Sequence, residues 1–216
     1  ILGTVTWGNG NSDDDPSFID TSNVDYHLSN YSPAIGAGTT TDAPNEDIEG
    51  NPRPNPSGTN PDIGAYENSY GVPQYQPQVL NVPTDYSTIQ AALTAANATD
   101  TVLVQPGTYT ENIIWPNVNS IKLISAGDSS NTIINPASPE DIVINMQDQG
   151  DGIVLDTTTQ IIGFTISGSN NGNGIGISLN AASPSLNKIQ LINHSRGIDA
   201  LNSNFVLLNS QISNCM

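Results

Sequence analysis

Cysteine is all but missing from this chain of 216 residues. Cys215 stands alone, so no internal disulfide can form, and stability has to come from packing and backbone ladders. Basic residues are nearly as scarce. Four Lys and Arg face 21 Asp and Glu, a formal net charge of -17 that repels phosphate backbones and anionic lipid headgroups and so argues against nucleic acid or an acidic membrane surface as partner. No apolar run approaches the roughly 20 residues of a membrane-spanning helix. Ile1 opens with neither an initiator Met nor a signal peptide, which leads us to expect a processed start or a fragment. Hydrophobic content is only 36%, yet the apolar residues gather in short Ile, Leu and Val clusters between Asn, Gly and Ser turns. That texture belongs to many short strands rather than to a disordered chain.

An internal repeat emerges beyond residue 150. Gly152-Ile153-Val154-Leu155, Gly176-Ile177-Ser178-Leu179 and Gly197-Ile198-Asp199-Ala200 recur at a little over twenty residues, and Ile166, Ile192 and Ile212 keep about the same period. Repeats of this length suit leucine-rich repeats or β-solenoid coils, and the absence of both a helical stretch and the LxxLxL signature favours the solenoid. Alternation within each run puts Ile153 and Leu155, Ile177 and Leu179, Ile198 and Ala200 on an inward face, leaving Val154, Ser178 and Asp199 outside. Asn193 and Asn214 are candidate coil corners, because Asn accepts left-handed backbone angles and can stack its amide along a ladder.

Upstream, Ser87-Thr88-Ile89-Gln90 has the form of a capping box, with Ser87 as N-cap and Gln90 at the third helical position of a helix running from Ile89 to Ala96. The strand Thr101 to Val104, the turn Pro106-Gly107 and the segment Thr108 to Ile113 follow. A solenoid exposes an apolar end at its first coil, and a helix carrying Ile89, Leu93 and Ala96 is a fitting cover. Residues 70 to 83, with Pro73, Pro77 and Pro83, have the texture of an extended linker. Residues 1 to 69 offer one strand-like run, Val5-Thr6-Trp7, then acidic turns and Pro-rich loops that cannot bury a core alone.

Two blocks carry a resemblance. Val82 to Leu93, continued by Asp100 to Tyr109, is similar to the N-terminal cap and first coil of the secreted right-handed parallel β-helix proteins of the pectin-lyase-like superfamily. Asp15-Pro16-Ser17-Phe18-Ile19-Asp20, Asp25-Tyr26-His27-Leu28, Ser32 to Gly38 and Pro61 to Glu67 resemble the last coil and C-terminal tail of the same group. The resemblance implies an all-β fold, a right-handed parallel β-helix with a short capping helix. It divides the chain into the closing strand and tail of one β-helix over residues 1 to 69, the linker over 70 to 83, and the cap and first coils of a second β-helix over 84 to 216. The ending precedes the beginning. Either the chain is a window from a run of tandem β-helices, or it is a subunit whose last coil, Phe205 to Ile212, is continued by the Ile1 to Trp7 strand of the next copy. Head-to-tail contacts that do not close give fibres.

The superfamily includes polysaccharide lyases, pectin methylesterases and glycosidases, so chemistry has to be weighed. A lyase needs a base, and the coils offer only Lys122, Lys188 and Arg196, in no recognisable motif. Hydrolysis needs two carboxylates within several ångströms, whereas Asp156 and Asp199 fall in different columns. Asp13-Asp14-Asp15 and the group Asp42, Glu46, Asp47 and Glu49 invite calcium, although no closing Glu of an EF-hand loop is present and solvated acidic turns are the plainer reading. Arg53 is expected to pair with Asp62 or a nearby Glu. His27 and His194 lack metal-ligand spacing. Trp7, Trp115, Tyr26, Tyr31 and Tyr66 could stack on a sugar, or pack a cap against the solenoid. The sequons at Asn30, Asn97 and Asn193 carry little weight in so polar a chain.

The expectation is therefore a structural or adhesive extracellular module without catalytic, cofactor or metal residues, Ca2+ being the one ion in question. Its partners are further β-helix ends and neutral glycans, and the alternative is a β-helix that binds or cleaves polysaccharide.

Overall fold

The computed structural model describes residues 12–138, 141–147, 153–168 and 174–215. These fall into two compact units, one ending at Gln76 and the other starting at Pro77.

The second unit is a β-solenoid of about five turns. Its strands are β3 (Val79–Val82), β4 (Thr101–Val104), β5 (Gly107–Thr110), β6 (Ile113–Ile114), β7 (Lys122–Ser125), β8 (Thr132–Asn135), β9 (Ile142–Gln147), β10 (Gln160–Ile162), β11 (Thr165–Ser167), β12 (Ile175–Asn180), β13 (Ser185–Asn187), β14 (Gln190–Ile192), β15 (Arg196–Leu201), β16 (Val206–Leu208) and β17 (Gln211–Ser213). They stack into three sheets, ordered β3-β4-β7-β10-β13-β16, β5-β8-β11-β14-β17 and β6-β9-β12-β15, and every adjacent pair is parallel. The register Thr101, Lys122, Gln160, Ser185, Val206 gives coils of 21, 38, 25 and 21 residues.

Alternation with a period of two explains the core. One residue per strand points inward and meets its counterpart a rung away, about 4.8 Å along the axis. In the first sheet the column is Leu80, Val102, Leu123, Ile161, Leu186, Leu207. The first five are buried, and Leu207 is 37% exposed. In the second sheet Tyr109, Ile134, Ile166, Leu191 and Ile212 align, and in the third Ile113, Ile144, Ile177 and Ile198. Each fully buried aliphatic side chain contributes about 1.5–3 kcal/mol before the ordering entropy is met.

The strands end where the backbone turns left-handed. Gly163, Lys188 and Asn209 follow strands of the first sheet, Asn193 and Asn214 those of the second, and Ala181 and Asn202 those of the third, all at positive φ. Asn193 and Asn214 are thus corners, and the Asn214 amide donates to Asn193 Oδ1 at 3.3 Å. Asn209 donates likewise to Asn187 at 3.1 Å. The repeat glycines have a steric reason as well: a Cβ on Gly176 would lie 2.6 Å from the Gly197 carbonyl oxygen and 2.9 Å from Leu191.

Several sequence expectations shift. The rung beneath Ile177 is Ile144, not Ile153, because the 38-residue coil carries an insertion between β9 and β10. Gly152 lies outside the described residues, Ile153 and Val154 are exposed, and Leu155 is buried in a return loop where its carbonyl accepts Ser183 N–H. The outward column is Asn145, Ser178, Asp199. In the second series Leu191, not Ile192, stacks between Ile166 and Ile212, since the two coils differ in length. Val79–Val82, assigned above to the linker, is the first solenoid strand. Its inward Leu80 and Val82 are buried, which the proline pattern around them hides.

Helix α1 (Ile89–Ala95) covers the first coil, burying Ile89, Ala92 and Leu93 in the solenoid core with Ala96 just beyond. Its N-cap is Thr88 rather than Ser87, with Thr88 Oγ1 accepting Ala91 N–H. The rest of the capping comes from afar: Glu111 accepts the N–H groups of Ile89 and Gln90, both at 2.9 Å. That frees the Gln90 amide, which accepts Ile114 N–H at 2.7 Å and donates to the Ile114 carbonyl at 3.0 Å. Gln90 thereby satisfies the outer edge of β6 as a neighbouring strand would.

The first unit is built differently. Its only strands among the described residues are β1 (Phe18–Asp20) and β2 (Asp25–Leu28), an antiparallel hairpin turned by Thr21–Asn23, where Asp20 accepts Ser22 and Asn23 N–H. Its buried apolar cluster is Leu28, Ala34 and Ile35. Carboxylates take over the role of a core. Buried Asp47 accepts N–H bonds from Glu49, Asn51 and Glu67 and one from the Asn51 amide. Glu67 binds Arg53 Nε at 2.6 Å and the N–H groups of Asn55 and Asp62, and Asp62 accepts Gly36 and Asn68 N–H, both at 2.7 Å. Glu67 is thus the carboxylate partner of Arg53, whose Nη2 donates to the Asp62 and Gly64 carbonyls.

Candidate functional site

The solenoid's two ends are treated differently. At the first coil the apolar cross-section lies under α1, and the β6 edge is satisfied by Gln90. At the last described rung β15, β16 and β17 each pair on one side only. Leu201, Val206, Leu208 and Ile212 there are 38–61% exposed, beside Leu207. Backbone donors and acceptors along the free edges of these strands need partners, either water or another strand. The rung is nearly neutral. Arg196 pairs with Asp199 at 3.0 Å, and both side chains are exposed. The corner amides of Asn209 and Asn214 each donate back to the rung below.

A second surface lies in the first unit. A groove of about 610 Å³ is lined by Phe18, Tyr26, Leu28, Pro33, Ile63 and Tyr66, with Asp14 at its polar side. Phe18 and Tyr26 meet edge to face, with ring centroids 5.5 Å apart. Tyr66 is backed by His27 at 4.1 Å. His27 is itself clamped, Nδ1 against Asp25 at 2.6 Å and Nε2 against Glu49 at 3.1 Å. Hydrogen bonds to Glu49 and then Asp25 raise the His27 pKa above its ordinary 6.5, against a smaller opposing effect of burial.

The remaining candidates disperse. Lys122 lies on β7, Lys188 occupies a left-handed corner, and Arg196 is on β15. Asp156 sits in the loop before β10, bonded to Thr158 and to the Asn119 side chain, while Asp199 is on β15 with Arg196. Asp14 accepts the Ser12 hydroxyl, and Asp15 accepts Ser17 N–H. Asp42 stands at positive φ, Glu46 forms an isolated bridge to Pro52, and Asp47 and Glu49 are committed as described. Among the described residues no three His, Cys, Asp or Glu side chains are grouped to hold a metal ion. Trp115 is buried in the solenoid core, Tyr31 is exposed, and Tyr26 and Tyr66 line the groove. Trp7, with the whole Ile1 to Trp7 segment, lies outside the described residues. His194 is buried, with Nε2 bonded to the Ile166 carbonyl at 3.0 Å and Nδ1 without a partner, and burial lowers its pKa.

Sequence reasoning missed the groove. Its lining comes from three stretches between residues 12 and 66 that show no common period, and only the aromatics among them gave a signal. It also missed the His27 clamp, since Glu49 lies 22 residues away.

No family model matches this chain, nor does any curated protein or any solved structure.

Proposed function

We propose that this chain is a structural module of an extracellular or cell-surface β-helical assembly, in which the solenoid is extended along its axis by another β-helical segment, and that it catalyses no reaction. The observation that carries this reading is the contrast between the two ends of the solenoid: one covered and edge-satisfied, the other an apolar rung with three free strand edges. The similarity of the cap and tail blocks to secreted β-helix proteins supports placement outside the cell.

The energetics set the scale. The aliphatic side chains of the last rung retain exposure worth about two whole Leu side chains, so covering them gains roughly 3–6 kcal/mol. Association costs about 4–15 kcal/mol in lost freedom. The balance has to come from ladder bonds along the three edges and from the apolar face of the partner. Self-association at micromolar to millimolar concentration follows.

Sedimentation equilibrium of the full 216-residue chain over about 10 to 500 μM tests it. Wild type should show concentration-dependent growth, and Leu208→Lys/Ile212→Lys should remain monomeric with an unchanged far-UV spectrum. A wild type that stays monomeric throughout sinks the proposal. So does a double variant that associates as wild type does. Release of new reducing ends from acidic or neutral polysaccharide would overturn its non-catalytic part.

A further inference from the structure

We infer that the aromatic groove of the first unit, lined by Phe18, Tyr26, Leu28, Ile63 and Tyr66, is the seat for the open last rung of a second copy of this chain, so that assembly runs head to tail. The inference rests on the structural reading above and names its contact.

Three observations converge. First, each surface lacks what the other supplies. The groove belongs to a unit whose own buried apolar cluster is three residues, and its hairpin is a two-stranded sheet, a structure that is marginal without a covering layer. Phe18, Tyr26 and Ile63 are each more than a third exposed there, as are the aliphatics of the last rung. Contiguous apolar patches of this kind on a water-soluble surface mark interaction sites.

Second, charge selects the pairing. Residues 12 to 76 carry eleven carboxylates against Arg53 alone, so two grooves facing each other would bring two strongly acidic surfaces together. Residues 196 to 215 carry one acid and one base, Asp199 and Arg196, already paired. A neutral rung can approach the acidic unit without that repulsion.

Third, the other end of the solenoid is closed to it. Stacking the last rung on the first coil would require displacing α1, with its buried Ile89 and Leu93, and breaking the Gln90 bonds to Ile114. Among the described residues the groove remains as the apolar surface open to an incoming rung. A heterologous contact of this kind leaves one groove and one rung free at the ends of every oligomer, so growth does not close.

Complementation between two variants of the full chain is the decisive experiment. One variant, Leu208→Lys/Ile212→Lys, has lost its rung but keeps its groove. The other, Tyr26→Lys/Ile63→Lys, has lost its groove but keeps its rung. Each alone should sediment as a monomer at concentrations where wild type grows. An equimolar mixture should give a dimer and nothing larger, which also proves that both surviving surfaces are folded. If the groove variant alone grows as wild type does while the rung variant does not, the groove assignment fails and the wider reading of axial assembly stands. If both variants are monomeric and the mixture stays monomeric, the contact is not head to tail and this inference is overturned. If a neutral oligosaccharide binds wild type and loses binding in Tyr26→Lys/Ile63→Lys while growth persists, the groove is a glycan site instead.

Discussion

Leu186 and Leu207 are adjacent members of one inward column, chemically identical and one rung apart, yet they should respond very differently to the same truncation. Leu186 is fully buried with a rung on either side. Leu186→Ala removes buried methyl groups and leaves a cavity that the flanking rungs hold open, a loss of about 2–5 kcal/mol. Leu207 has a rung on one side and is 37% exposed. Its truncation forfeits only the buried part and leaves no enclosed cavity, so the cost in the monomer should be about 1–2 kcal/mol. Urea unfolding followed by far-UV circular dichroism, at a concentration of about 2 μM where the chain is monomeric, measures both. Repeating it at high concentration adds the linkage term, because binding to the folded form raises apparent stability. Wild type and Leu186→Ala gain that term alike, whereas Leu207→Ala loses part of it, so only the Leu207→Ala penalty should grow with concentration. Equal penalties for the two variants in dilute solution would refute the reasoning, since Leu207 would then be as well covered as Leu186.

Other perturbations address the ends and the first unit. Gln90→Leu removes both bonds to Ile114 and frees the β6 edge, so it should raise light scattering on storage while costing about 1–2 kcal/mol in urea unfolding. Glu111→Ala strips the acceptor from two N–H groups of α1 and should destabilise the solenoid by about 2 kcal/mol or more, with Glu111→Gln recovering part. A proton NMR titration should move the two histidines in opposite directions, His27 titrating above 6.5 and His194 below it. The signs for stability follow: the His27 contribution is complete below pH 6.5 and is lost as pH rises through its raised pKa, whereas the His194 contribution is complete above pH 6.5 and is lost on acidification. Asp47→Ala leaves three backbone N–H groups and the Asn51 amide without their acceptor, so tertiary signals of the first unit should be lost at lower urea, by about 3 kcal/mol or more.

Local chemistry was legible in the sequence, and distant chemistry was not. The cover helix could be read because Ile89, Leu93 and Ala96 keep a helical spacing, and the corners Asn193 and Asn214 because Asn is among the few residues that tolerate left-handed angles. Ser87 was misread as the cap because the local box S-T-I-Q satisfies the same rule that Glu111 satisfies from 21 and 22 residues away. The rung at Ile144 was hidden because a coil of 38 residues breaks the period that the shorter coils keep. Val79–Val82 was hidden by its prolines, which flank the strand and do not interrupt it. Of the two candidate surfaces, the last rung was visible as Phe205 to Ile212, since its apolar residues continue the repeat. The groove was not, because it is made by folding and not by any period.

The contrast between the ends also limits what can sit on the open one. A water-soluble protein that leaves a strand edge free protects it with a charge, a proline or a covering segment. The first coil follows that rule with Gln90 and α1, whereas β16, Val206-Leu207-Leu208, carries none of these, and the charges of β15 neutralise each other. The Asn corners add direction: Asn209 and Asn214 spend their amide donors on the rung below, which turns their acceptor oxygens to the task of meeting whatever comes next. A suitable occupant is therefore apolar at its centre and offers N–H donors at its rim. An antiparallel hairpin with Phe18 and Tyr26 on its groove side and two free edges has that composition, and a flat sugar surface, with hydroxyls spread over both faces, matches it less well.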